Sequence, residues 1–224
     1  MRFFVNSSLI VLTCLSLALV WLFGSFVIFL ILLFSLLIIL FFFRRLSPSF
    51  RDDFVLKDGI FYSPVNGRVS YVRRDILQAE DGGTFHEIGI TTSWFKEGGM
   101  YLPIRSEVIN LSFNEGKSFF RYWGKAYEKA REELSRLTVK LQCSNGDSYY
   151  IESVKCPTGL WPKVRVIPGD RGKAQVNFGF FGLGGTTVLY LPQNYEILVK
   201  DGLEAIAGQT IIASLSDDLI KERK

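Results

Sequence analysis

The chain divides into two hydrophobic regimes. From Phe3 to Phe43 no charged residue occurs, and nearly every position is Leu, Ile, Phe, Val or a small polar type. One membrane-spanning helix needs about 20 residues, so this run is long enough for two, with Gly24-Ser25 near its middle as the expected hairpin tip. Arg2 flanks one end and Arg44-Arg45 the other, so a hairpin with both ends cytoplasmic satisfies the positive-inside tendency. A cleavable signal peptide has an apolar region of only about 7–15 residues, which favours a retained anchor. The pattern predicts a transmembrane helical hairpin over 1–45, a cell-membrane location, and a cytoplasmic domain over 46–224.

After residue 45 the apolar positions alternate with polar ones, the period of half-buried strands. Asp58-Gly59 leads into Ile60-Phe61-Tyr62, and Asn66-Gly67 leads into Arg68–Val72. Further strands are expected at Glu87–Thr92, Val108–Phe113 and Thr138–Gln142, with Asn145-Gly146 turning a hairpin into Tyr149–Val154. One helix stands out from Gly124 to Leu137, where good helix formers carry Glu, Lys and Arg at helical spacing. The glycine-dense stretch Phe178–Thr187 reads as a tight turn feeding a strand at Val188–Pro192. Two more strands are expected over 195–213, around Asp201-Gly202 and Ala207-Gly208, and the last eight residues read as a frayed tail. The expected fold is mostly β (α+β) behind the hairpin.

Charge and cysteine usage remove several function classes. Lys and Arg number 26 against 22 Asp and Glu, a net charge of +4, too small a bias to argue for nucleic acid. The three cysteines, Cys14, Cys143 and Cys156, show no CxxC or Cys/His spacing, and His86 is the single histidine. No metal is therefore expected. Gly182-Leu183-Gly184-Gly185 is not a phosphate-binding loop, because no Lys-Ser/Thr follows it. Phe178, Phe180 and Phe181 suit a core strand better than a lipid-facing rim, and Trp94-Phe95 and Trp161 invite the same caution about membrane contact.

Five segments in order resemble the phosphatidylserine decarboxylase family. Phe41-Phe42-Phe43-Arg44 is similar to the FFR that closes the membrane segment of short prokaryotic members. Ser63-Pro64-Val65-Asn66-Gly67-Arg68-Val69 resembles S-P-A-D-G-x-V. Ile88 to Val108 aligns without gaps to a segment that carries the family's histidine, sharing Ile88, Ile90, Ser93, Pro103 and Val108. Lys129-Ala130 with Glu133 and Arg136 echoes K-A-S-x-E-N-E-R, and Val199–Ala213 is close to the terminal V-x-x-G-D-x-V-x-A-G-E-T-x-I-A. The resemblance implies a decarboxylase whose chain breaks at a Gly-Ser bond to leave a pyruvoyl group, with an Asp and a His assisting the serine.

The departures fall on those three positions. The Asp position is Asn66, an amide that neither takes a proton near neutral pH nor stabilises an imidazolium by charge, and the His position is Gly98. His86 lies twelve residues earlier and reads as an ordinary strand residue. At the serine two alignments stay open. Counting back from Tyr190-Leu191-Pro192 puts Gly185 there and leaves no nucleophile, whereas matching Gly185-Thr186-Thr187-Val188 to Gly-Ser-Thr-Val makes Thr186 the candidate. Threonine could make the same acyl shift and would leave a 2-oxobutanoyl group; no cofactor is expected otherwise. The β-methyl of threonine restricts χ1, and general-base help is usually worth about 10²–10⁴-fold.

The expected function is a membrane-anchored, catalytically inactive homologue in phospholipid metabolism, partnered by phosphatidylserine or a related aminophospholipid and compatible with a homo- or hetero-oligomer. The first alternative is an active, divergent decarboxylase self-cleaving at Gly185-Thr186. The second is a lipoyl-like membrane-anchored binding module, suggested by SPVNGRV and VKDGLEAIAGQTII, without the lysine turn that would carry a covalent cofactor.

Overall fold

The computed structural model describes residues 2–3, 11, 14–18, 21, 26–42, 44–45, 59–77, 83–93, 95–117, 133–155 and 160–215. The chain forms two compact units, Met1–Ser47 and Pro48–Lys224. In the first, strand β1 (Arg2–Phe3) pairs antiparallel with β2 (Arg44–Arg45), and a helix runs over Phe26–Phe42.

That helix corrects the expected membrane hairpin. It has 17 residues, about 25 Å at roughly 1.5 Å per residue, which falls short of a hydrocarbon core of about 30 Å. Residues 11, 14–18 and 21 are also helical, but no helix among the described residues is long and apolar enough to cross a membrane. The proposed tip, Gly24-Ser25, lies outside the described residues. The transmembrane hairpin and the membrane location inferred from it are therefore overturned: the apolar composition is continuous, but the helix it forms is too short.

The elements named among the described residues of the second unit are all strands. In chain order its strands are β3 (Ile60–Tyr62), β4 (Gly67–Leu77), β5 (Thr84–Thr92), β6 (Gly99–Tyr101), β7 (Ser106–Asn114), β8 (Arg136–Cys143), β9 (Ser148–Lys155), β10 (Lys163–Val164), β11 (Arg171–Gly172), β12 (Asn177–Phe180), β13 (Gly185–Pro192), β14 (Tyr195–Ile197), β15 (Glu204–Ala205) and β16 (Ile211–Leu215). An eight-stranded antiparallel sheet has the order β11-β7-β8-β9-β13-β5-β4-β15. Two three-stranded sheets, β10-β12-β6 and β14-β16-β3, accompany it.

The strand at Ile60–Tyr62 keeps the expected bounds, and the strands foreseen from Arg68 to Pro192 are present and extended by one to several residues. The two expected over 195–213 are three, β14, β15 and β16, with turns at Asp201-Gly202 and Ala207-Gly208. The helix expected from Gly124 to Leu137 is not borne out at its end. Residues 124–132 lie outside the described residues, while Arg136 and Leu137 open β8, with Leu137 fully buried between Phe113 and Ser153. Sheet pairing there overrides local helix propensity. The tail from 216 onward also lies outside the described residues.

Strand β13 is the axis of the fold. It lies between β5 and β9, and of its residues only Pro192 is not buried. Partners across an antiparallel pair share a face, so Leu189 and Leu191 join Ile88, Ile90, Ile151 and Val139 in the larger core, where Phe61 meets Tyr149 and Tyr195 edge-on at 5.0 and 4.8 Å. Val188 and Tyr190 point the other way, into a smaller cluster with Tyr71, Phe85, Tyr150 and Val154. Burial on both faces explains why this segment reads as a continuous apolar run.

Candidate active site

The turn into β13 is tightly constrained. Leu183 and Gly184 have φ of 61° and 83°, and Gly185 has φ of 154°. A left-handed leucine costs roughly 1–2 kcal/mol, so the surrounding packing imposes this path. At Gly185 a Cβ would stand 2.1 Å from Cζ of Phe181 and 2.9 Å from the Val154 carbonyl oxygen. The phenylalanine ring fills the space that any side chain at Gly185 would need.

Thr186 follows, almost fully buried, paired with Thr91 on β5 and Val154 on β9. Its hydroxyl lies 3.2 Å from that of Thr91, which lies 2.6 Å from the hydroxyl of Ser70. By register, the nearest carboxylate on the same face of β9 is Glu152, opposite Val188, and it faces Arg136 at 3.9 Å. Thr187 turns to the larger core. Its hydroxyl and those of Thr92 and Ser153 are buried without a hydrogen-bond partner among the described residues.

Asn66 sits at the entry to β4. The following glycine is needed because a Cβ at Gly67 would stand 2.5 Å from the carbonyl oxygen of Thr91, and this close approach ties the turn to the strand that pairs with Thr186. The Asn66 Nδ2 donates to Oε2 of Glu97 at 2.8 Å, and its Oδ1 accepts from the Ala207 amide at 3.0 Å. Glu97 is itself buried, and its Oε1 accepts from the Tyr101 hydroxyl at 2.7 Å. Sequence reading passed over Glu97; its one signal was an acidic residue directly before a double glycine.

Gly98 carries no side chain and has no room for one. A Cβ there would stand 2.4 Å from the Phe181 carbonyl oxygen, and the Phe181 amide donates to the Gly98 carbonyl at 2.6 Å. Phe181 therefore closes two positions, Gly98 with its backbone and Gly185 with its ring.

His86 is at the wrong end of β5. It pairs with Leu191, whereas Thr91 pairs with Thr186, a separation of about 17 Å at roughly 3.3 Å per residue. Its Nδ1 accepts weakly from the Asp75 amide at 3.4 Å, and burial lowers its pKa despite the opposing charge of Asp75. Phe178, Phe180 and Phe181 are buried core residues, while Phe95 and Trp161 are exposed; Trp94 lies outside the described residues. Among the described residues no group of three His, Cys, Asp or Glu side chains gathers as a metal site.

A family profile for phosphatidylserine decarboxylase matches residues 38–213. The chain belongs to the phosphatidylserine decarboxylase family. It is similar to a phosphatidylserine decarboxylase proenzyme of Symbiobacterium thermophilum, 30% identical over 71% of this chain and 72% of the relative. One from Saccharopolyspora erythraea is 24% identical over 77% and 70%. One from Wolbachia pipientis wMel is 24% identical over 95% of this chain and 89% of its own. The profile spans both segments that suggested a lipoyl-type sandwich, so the decarboxylase family replaces that reading.

The candidate positions Asn66, Gly98 and Gly185-Thr186 are neighbours in this fold. Asn66, through Gly67, abuts Thr91 beside Thr186, and Gly98 is bonded to Phe181, which lies on Gly185. The local side chains do not fit the serine-derived pyruvoyl group that the resemblance implies. The position of Gly185 is filled by a phenyl ring, and Thr186 has a hydroxyl neighbour where a base is needed.

Proposed function

We propose that this chain is a non-catalytic member of the phosphatidylserine decarboxylase family, acting in phospholipid metabolism as a binder of an aminophospholipid rather than as a carboxy-lyase. The observation that carries the reading is the double closure by Phe181. An imidazole at Gly98 would collide with its carbonyl, and a hydroxymethyl at Gly185 would collide with its ring. Asn66 supports the same reading, because its amide is committed to a hydrogen bond with the Glu97 carboxylate. A residue so held supplies neither charge nor a proton acceptor to Thr186.

One observation favours the alternative in which the Gly185-Thr186 bond breaks. The Thr186 hydroxyl begins a chain through Thr91 to Ser70, and the preceding left-handed Leu183 stores strain beside the bond. In that reading Thr186 Oγ1 would attack the Gly185 carbonyl carbon, its proton would pass to the departing Thr186 nitrogen, and an ester would replace the amide. The relay contains only hydroxyls, whose basicity is far too low to replace imidazole.

Intact-mass measurement on the purified full chain, with a denaturing gel beside it, tests the reading. A single uncut chain is expected. A C-terminal fragment beginning at a blocked residue 186, together with release of CO₂ from phosphatidylserine, would overturn it.

A further inference from the structure

A cavity of about 390 Å³ opens at the β11 edge of the large sheet, lined by Arg105, Ser106, Glu107, Ser144, Arg171 and Lys173 among others. Its size is within the range of small-ligand sites, roughly 300–1,000 Å³. Sheet register builds the floor from three adjacent strands: Gly172, Ser106 and Cys143 lie side by side on β11, β7 and β8, and so do Arg171, Glu107 and Gln142. At Gly172 the backbone passes close to Cδ1 of Leu102, which an added Cβ would meet at 2.2 Å. Cys143 is seven residues along β8 from Arg136, which lies in the row of Val154 and Thr186. That separation is about 23 Å along the strand, so the cavity is distinct from the site around Gly185.

Three cations face one acid. Glu107 accepts from Nε of Arg171 at 2.6 Å and so fixes that guanidinium at the rim. Arg105 and Lys173 have no hydrogen bond or ion pair with a side-chain partner among the described residues, and both are exposed at the mouth. The floor adds no negative charge: burial pushes the Cys143 thiol up to about 12, and the Ser106 hydroxyl is engaged by the Ile104 carbonyl and the Tyr149 hydroxyl. Two guanidiniums, one of them paired with Glu107, one ammonium and the exposed Ser144 hydroxyl line a space of small-ligand size. Arginine forks match the paired oxygens of phosphate, and lysine contributes a point charge.

We propose that this cavity is an anion site for a phosphate group, either inorganic phosphate or the phosphodiester of a lipid headgroup. The site is independent of whether Gly185-Thr186 is cleaved.

Isothermal titration of the full chain with inorganic phosphate and, separately, with glycerophosphoserine tests it. Binding of at least one probe is expected, weakening about tenfold or more in Arg105→Ala/Lys173→Ala, as removal of charge-assisted bonds does. Glu107→Gln is expected to tighten binding, because it frees the Arg171 fork and removes the single opposing charge. Tighter binding of glycerophosphoserine than of phosphate assigns the site to a lipid headgroup, and equal or weaker binding assigns it to free phosphate. Circular dichroism melts of the variants separate loss of binding from loss of fold, which is not expected for residues this exposed. No binding of either probe, or binding unchanged in the folded double variant, would overturn the proposal.

Discussion

Asn66 donates its side-chain amide to the buried carboxylate of Glu97 across 2.8 Å. Position 66 therefore faces a buried acid, and an amide is a side chain compatible with it. Glu97 holds Asn66 and Tyr101 at once, so the carboxylate next to Gly98 has a structural role in binding the turn before β4 to β6.

Replacing Asn66 by aspartate should therefore damage the protein. Asn66→Asp puts two carboxylates in contact with no donor between them, at a cost of about 2–4 kcal/mol near pH 7. The pair must share a proton, which raises a folded-state pKa above the unfolded value of about 4. The folded state then binds more protons, so stability of the variant is greatest at acid pH and falls as pH rises through the raised value. Urea denaturation of both proteins at pH 7 and pH 5 checks this; a difference independent of pH would sink it.

Gly98→Ala is expected to lose about 2–4 kcal/mol, because the added methyl meets backbone at 2.4 Å and backbone cannot rotate away. Gly98→His should be at least as unstable and should gain no self-cleavage. A melting temperature within a degree of the parent for Gly98→Ala would show that Phe181–Gly182 moves freely, contrary to the packing described.

The Phe181 ring and Gly185 are expected to be coupled. Gly185→Ser should cost about 2–3 kcal/mol through the collision with the ring, and Phe181→Ala about 3–5 kcal/mol through lost burial. In the double variant the serine occupies vacated space, so the loss should be smaller than the sum by about 1 kcal/mol or more. Strict additivity in a double-mutant cycle would mean that the ring is not what excludes a side chain at Gly185.

His86 supplies a direct titration, because it is the chain's single histidine. Burial lowers its folded-state pKa below the ordinary value of 6.5, with Asp75 opposing in part. The unfolded chain then binds the proton more readily, so the stability tied to His86 is full above pH 6.5 and is lost as pH falls through the window below it. Nuclear magnetic resonance of the imidazole protons should give a midpoint below 6.5, and His86→Gln should flatten the acid side of the stability profile. A midpoint at or above the ordinary value would contradict the buried placement.

Much of the β architecture was legible in the sequence because alternation and turn chemistry are local. Asn66-Gly67 and Asn145-Gly146 each precede a strand in the structure, and the apolar run after Thr187 is the central strand β13. The short strands β6, β10, β11 and β12 left no such mark. Their few residues show no alternation, and each exists through a partner distant in sequence, as Asn177 finds Tyr101. The apolar run before Arg44 misled for a related reason: composition measures how much hydrophobic chain there is, while the length of each helix depends on where its hydrogen-bonded turns stop.

By itself the sequence determined the family and the succession of the main strands along the chain. Those properties are carried by residue identity and nearest-neighbour pattern. Only the tertiary structure decided that Glu97 is the partner of Asn66, that Phe181 closes both Gly98 and Gly185, and that His86 lies at the far end of β5 from Thr186. It also gathered Arg105, Arg171 and Lys173 around one cavity. Each is a contact between residues far apart in the chain, made by strand register and close packing, which no local pattern encodes.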